Sequence, residues 1–148
     1  MSEQSLVTIT RQSGYQFLVD FGAGLPQWLA DEPAPLGQGT GPSPNALLMA
    51  AVANCLSASL LFALQKFKQD PGSLVATATP TLERNENKRL RITGIAVKIA
   101  LGRTAAEIDH LDRVLSQFED FCTVSMSVRE GIAISVEVTD GSGAQLKG

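Results

Sequence analysis

Two short runs rich in β-branched and aromatic residues, Leu6-Val7-Thr8-Ile9-Thr10 and Gln16-Phe17-Leu18-Val19-Asp20, lie on either side of Ser13-Gly14 and predict a β-hairpin. The next segment, 21–42, carries four prolines and five glycines among alternating apolar residues, which excludes a helix and predicts a long loop with Trp28 packing it down. Ser43 and Pro44 then supply an N-cap and a first helical residue. From Leu47 to Leu64 only Asn54, Ser57 and Ser59 are clearly polar, so a helix apolar nearly all round is expected. Lys66 and Lys68 complement its C-terminal dipole, and Asp70-Pro71-Gly72 ends it. Val75–Leu82 and Leu90–Leu101 alternate on either side of the polar turn 83–88 and predict a second hairpin, with Pro80 suited to an edge and Gly94 to a bulge. Thr104 and Glu107 form a capping-box pattern, and Ile108, Leu111, Leu115 and Phe118 follow at helical spacing. A short helix near 121–128 and a strand with period two at Ile132, Ile134, Val136 and Val138 complete the pattern, before a polar tail expected to fray. The order ββ, long helix, ββ, helix, β is α+β with mainly antiparallel pairing.

Composition narrows what such a chain does. Its 148 residues suit one domain, taken as 1–148. Charged residues make up 18% of it, which leaves little polar surface for a monomer and points to an apolar subunit interface. A net charge of -3 argues against nucleic-acid binding, which needs a basic face to neutralise phosphates. The apolar helix meets the length of a membrane span, but its richness in Ala and Ser and its amphipathic neighbours favour a buried helix in a soluble protein. The N-terminal residues show no secretory pattern, so a cytoplasmic setting with reduced thiols is expected.

Candidate chemistry is sparse. His110, the single histidine, lies between Asp109 and Asp112 in a helical pattern and reads as a solvated surface residue. Two cysteines, Cys55 and Cys122, lack the spacing of a metal site, so no metal is expected. Cys55 falls about three turns into the long helix. A cysteine there is either a small inert core residue or a reactive thiol. The reactive reading requires a cation, because the start of the long helix is too far away for its dipole to act; Arg11, Arg84, Arg89, Arg91 and Arg129 are the candidates.

The segment GTGPSPNALLMAAVANCLSASLLFAL resembles the signature of the OsmC/Ohr family of thiol-dependent peroxidases, in which a Gly- and Pro-containing loop enters a central helix bearing the reactive cysteine. FCTVSMSV resembles the family's second-cysteine segment, and element order and length agree over the whole chain. The resemblance implies an OsmC-like fold: antiparallel sheets around a long central buried helix, in an intertwined homodimer with active sites at the interface. It implies that Cys55 attacks the O–O bond of a small organic hydroperoxide and that Cys122 resolves the sulfenic acid to a disulfide. A dithiol, lipoyl-like in some relatives, would then reduce the disulfide, with no metal, haem or flavin cofactor.

One position departs from the family pattern. The peroxidases carry a glutamate after the loop proline, where it holds an arginine that stabilises the thiolate; here Asn45 follows Pro44. One family branch carries that arginine at the position of Pro35, and the other carries it in the N-terminal hairpin, where Arg11 matches. Asp31 and Glu32 are the candidates for a substitute carboxylate. Three readings stay open: a peroxidase with an altered arginine clamp, a non-peroxidatic redox-sensing or ligand-binding dimer, and a single-span membrane protein.

Overall fold

A computed structural model describes residues 6–148. The chain divides into two compact units, the first ending at Leu48 and the second running Met49–Gly148. The architecture is α+β, with two separate sheets and one long helix.

In the first unit, β1 (Thr8–Ser13) and β2 (Gln16–Asp20) form the expected antiparallel hairpin. Gly14 takes a positive φ of 53° at its turn, which a residue without Cβ adopts at little cost. The loop that follows is not wholly irregular. Trp28–Ala30 forms a third strand, β3, antiparallel to β2. Three residues are too few to leave a periodic signal, and hydrogen bonding to β2 makes them a strand. Trp28 stays half-exposed and stands edge-on to Phe21, with ring centroids 4.9 Å apart.

Asp31 organises the rest of that loop. Its Oδ1 accepts from the Glu32 amide at 2.8 Å; its Oδ2 accepts from the amides of Gln38 and Thr40, both at 3.1 Å, and from the Thr40 hydroxyl at 2.7 Å. The Thr40 hydroxyl and then its amide lead in holding this carboxyl below its ordinary value. Gly37 is required beside it, because a Cβ there would collide with the Glu32 carbonyl and the Asp31 carboxylate.

The long helix, α1 (Pro44–Lys66), begins as the sequence predicts, with the Ala46 amide donating to the Ser43 hydroxyl at 3.2 Å. In the second unit it contributes Val52, Leu56, Leu60 and Leu64, all fully buried. Its end is closed by the amides of Phe67 and Gln69, which donate to the Leu64 carbonyl at 3.0 Å around a left-handed Lys68, and the Asp70 carboxylate then turns the chain by accepting from the Gly72 amide at 2.7 Å.

The sheet of this unit has the order β4-β5-β6-β7, from Leu74–Arg84, Leu90–Leu101, Ala133–Thr139 and Gln145–Lys147. Pro80 lies on β4, an edge strand, where its missing N–H breaks no ladder on the open side. The expected bulge falls beside Gly94: the register steps from Thr81↔Gly94 to Leu82↔Ile92, leaving Thr93 unopposed. Ile95, Val97, Ile99 and Leu101 alternate into the core, joined by Val138 from β6. β6 runs parallel to β5, the exception to otherwise antiparallel pairing.

Two expectations are corrected here. The tail is not simply frayed, because Gln145–Lys147 pairs with β6 and the Lys147 ammonium donates to the Leu115 carbonyl at 2.7 Å. The amphipathic helix is broken into a 3₁₀ turn (Ala105–Glu107), α2 (Leu111–Gln117) and a second 3₁₀ turn (Phe118–Phe121), while the short helix expected next forms as α3 (Thr123–Val128). The first break runs from Ile108, whose backbone is extended, to His110, which has a left-handed φ of 60°. His110 is exposed, as expected, and stacks on Phe67 at 4.7 Å.

Asp140 joins β6 to the first 3₁₀ turn. It accepts from the Ser142 hydroxyl at 2.6 Å, the amides of Ser142 and Ala144 at 3.0 Å, and the Ala105 amide at 2.8 Å. The Ser142 hydroxyl and then the Ala105 amide lead in pulling its pKa from 3.8 to about 2. A carboxyl depressed in the folded state stabilises that state fully above its unfolded value and loses the contribution as pH falls through the folded one. Asp140→Asn is therefore expected to lower the thermal midpoint at pH 7. The gap to wild type should close between about pH 4 and pH 2 in a series of melting curves.

Candidate active site

α1 carries Cys55 at mid-length, half-buried, one residue before the fully buried Leu56. The second 3₁₀ turn and α3 carry Cys122 between them. Phe118, fully buried, anchors that segment, and Phe121 meets Phe62 of α1 edge-on at 5.6 Å. Lys66 lies over both of these rings, 4.5 Å from the centroid of Phe121 and 5.2 Å from that of Phe62. Cys122 is fully buried and is the N-cap of α3; its sulfur accepts from the Ser125 amide at 3.4 Å.

The two cysteines are neighbours: Cys122 acts directly on the Cys55 thiol, and both are free. Burial is the main force on Cys55, pushing its thiol above the ordinary value, and Cys122 adds to the rise. The backbone amides of Val124 and Ser125 pull the other way. The start of α1 is too far from Cys55 for its own dipole to act on the thiol. The amides that reach the thiol belong to α3 instead, and the expected short helix after Cys122 was the available signal for them.

Four of the five candidate arginines serve their own surroundings. Arg11 donates its Nε to the Gly14 carbonyl at 2.9 Å, Arg84 reaches the Lys88 carbonyl at 2.9 Å and Arg91 the Leu90 carbonyl at 2.8 Å. Arg129 pairs with Glu119 at 2.9 Å, and that carboxylate also binds Lys147. Arg89 is exposed in the β4–β5 turn. Asn45 is exposed in the first turn of α1. Of the candidate carboxylates, Asp31 is occupied by its own loop. Glu32 is half-buried and lines a cavity in the first unit with Ile9, Tyr15 and Phe17.

Two neighbouring cysteines, one on a long central helix and one at the start of a short second helix, sit in an α+β chain of known architecture. The OsmC-like protein family matches residues 37–137, and the chain belongs to that family. Solved structures agree on the fold. An OsmC-like protein from Mycoplasma pneumoniae superposes with a TM-score of 0.75 at 16% identity, covering 94% of this chain and 98% of that one. The organic hydroperoxide resistance protein OsmC from Legionella pneumophila gives 0.71 at 17% identity, over 92% and 96%. The organic hydroperoxide resistance protein OhrB of Bacillus subtilis gives 0.68 at 18% identity, over 90% and 98%. Comparison with curated protein sequences finds no match.

Proposed function

We propose that this protein reduces organic hydroperoxides through its cysteine pair. A peroxide-related redox role is supported by membership of the OsmC-like family and by structural neighbours that are organic hydroperoxide resistance proteins. The observation that carries the reading is the asymmetry of two free, neighbouring thiols: Cys55 half-buried and open to a substrate, Cys122 fully buried.

The chemistry balances without a cofactor. The Cys55 thiolate attacks one oxygen of R–O–O–H; the O–O bond breaks, and with one proton taken up the products are Cys55 sulfenic acid and the alcohol R–OH. The Cys122 thiol then displaces hydroxide from the sulfenic sulfur, giving the Cys55–Cys122 disulfide and water. A small dithiol, of the lipoyl kind, restores both thiols by exchange and leaves as its own disulfide. Arg11 is the candidate that the family pattern offers for stabilising the thiolate, a role for which its guanidinium would turn away from the Gly14 carbonyl.

The working unit in this reading is a cytoplasmic homodimer. The support is the face of α1 left open in one chain, where Ala50, Ala51, Ala58, Leu61 and Phe62 are exposed around Asn54. Sedimentation at micromolar concentration is expected to give a dimer.

The test of function is steady-state consumption of an alkyl hydroperoxide with a dithiol reductant. Turnover is expected, along with a Cys55–Cys122 link in peptides of the oxidised protein. Absence of both turnover and link would overturn the reading. A slower, redox-sensing role for the same pair is favoured by one observation: burial and Cys122 raise the Cys55 thiol, and Asn45 offers no charge to hold a clamp arginine. Asn45→Glu is therefore expected to lower the pH at which Cys55 becomes reactive and to speed peroxide attack about tenfold per unit of pKa, measured as the rate of Cys55 oxidation against pH.

A further inference from the structure

Ser125 has a feature that the cysteine chemistry above does not use. The residue is fully buried, and its hydroxyl has no hydrogen-bond partner. Two other helical serines satisfy theirs on a preceding carbonyl, Ser57 on Ala53 and Ser127 on Thr123, both at 2.7 Å. A buried hydroxyl without a partner is destabilising compared with an apolar side chain of similar size, and alanine would avoid the cost. The place of this hydroxyl is specific. The amide of the same residue donates to the Cys122 sulfur at 3.4 Å. Within one serine the hydroxyl oxygen stays within about 4 Å of the backbone nitrogen, so it is held close to the amide that meets the Cys122 sulfur, and rotation about χ1 changes the direction in which it points.

We propose that the Ser125 hydroxyl is a reserved donor that turns to the Cys55 sulfur when the thiol ionises. In the resting pair each sulfur is a weak acceptor, and the hydroxyl gains little by turning. When the Cys55 proton passes to solvent, the sulfur becomes a charged, partly desolvated acceptor, and a hydrogen bond to a charged group is about twice as strong as a neutral one. The hydroxyl then joins the backbone amides of Val124 and Ser125, which already act on that sulfur. The titratable group facing Cys55 is Cys122, whose negative charge would oppose ionisation, so a neutral donor is what the site needs. The unsatisfied hydroxyl is a cost carried in the thiol form and recovered in the thiolate form.

This inference rests on Cys55 being the reactive thiol, and its test needs no peroxide. The rate of Cys55 alkylation by iodoacetamide is followed from pH 5 to pH 10 by peptide mass analysis, in wild type, Ser125→Ala and Ser125→Gly, with a melting curve for each. Loss of the hydroxyl is expected to move the profile up by about one pH unit and to slow alkylation at pH 7 about tenfold. Ser125→Ala should melt at or above the wild-type temperature, because the unpartnered group is gone. The proposal is overturned by an unmoved profile in either variant, or by a shift in Ser125→Ala that comes with a lower melting temperature, which would make the residue structural. Failure of hydroperoxide turnover leaves this profile measurable, so the two readings fail separately.

Discussion

Cys55→Ser is expected to abolish dithiol-dependent hydroperoxide reduction, with a loss of at least about 1000-fold, because a serine hydroxyl has no accessible anion near neutral pH and no means of forming a sulfenic acid. The substitution exchanges one small half-buried group for another, so the melting temperature should change little. Cys122→Ser separates the two roles. A Cys55 thiolate without its partner should still react once with hydroperoxide, leaving a persistent sulfenic acid, while multiple turnover collapses. Stopped-flow oxidation and intact mass measure both quantities. A Cys55→Ser protein that keeps turning over, or a Cys122→Ser protein that keeps its full steady-state rate, would remove the disulfide cycle from the account.

Phe118→Ala is expected to cost about 3–5 kcal/mol of stability, the range for truncating a fully buried aromatic residue whose surroundings relax only in part. Phe118 has no exposed surface, and the Lys147 ammonium sits 5.1 Å above its ring centroid. It also begins the turn that leads to Cys122. The damage should therefore reach the site: disulfide formation between Cys55 and Cys122 should slow even where the variant remains folded. Phe121→Ala is the control, since that residue is nearly half exposed and its removal should cost less. Urea unfolding of the three proteins, together with the rate of disulfide closure, tests both parts. Equal stability of Phe118→Ala and Phe121→Ala would contradict the view that this segment is anchored from Phe118.

Local chemistry made much of the fold legible in the sequence. Ser43 and Pro44 mark the start of α1 because capping depends on neighbouring residues alone, and the uninterrupted apolar run from Leu47 marks its body. Period two in 90–101 exposes β5, and Pro80 its edge neighbour, for equally local reasons. The two cysteine segments carried the family, which the match over residues 37–137 bears out. Interactions between residues distant in sequence were not legible. β3 and β7 are three residues each and exist through pairing with β2 and β6, which no run of three residues can announce. The break between Ile108 and His110 is a backbone conformation that overrode a regular apolar spacing. Asp31 read as a spare carboxylate; the loop folded around it and occupied both of its oxygens. The amides that act on Cys55 come from α3, some seventy residues later in the chain. Residue types and local periodicity thus determine which elements form and which atoms can react. The protonation of a thiol depends on burial and on the dipoles around it, and chain segments far apart in sequence supply these only once they are packed together.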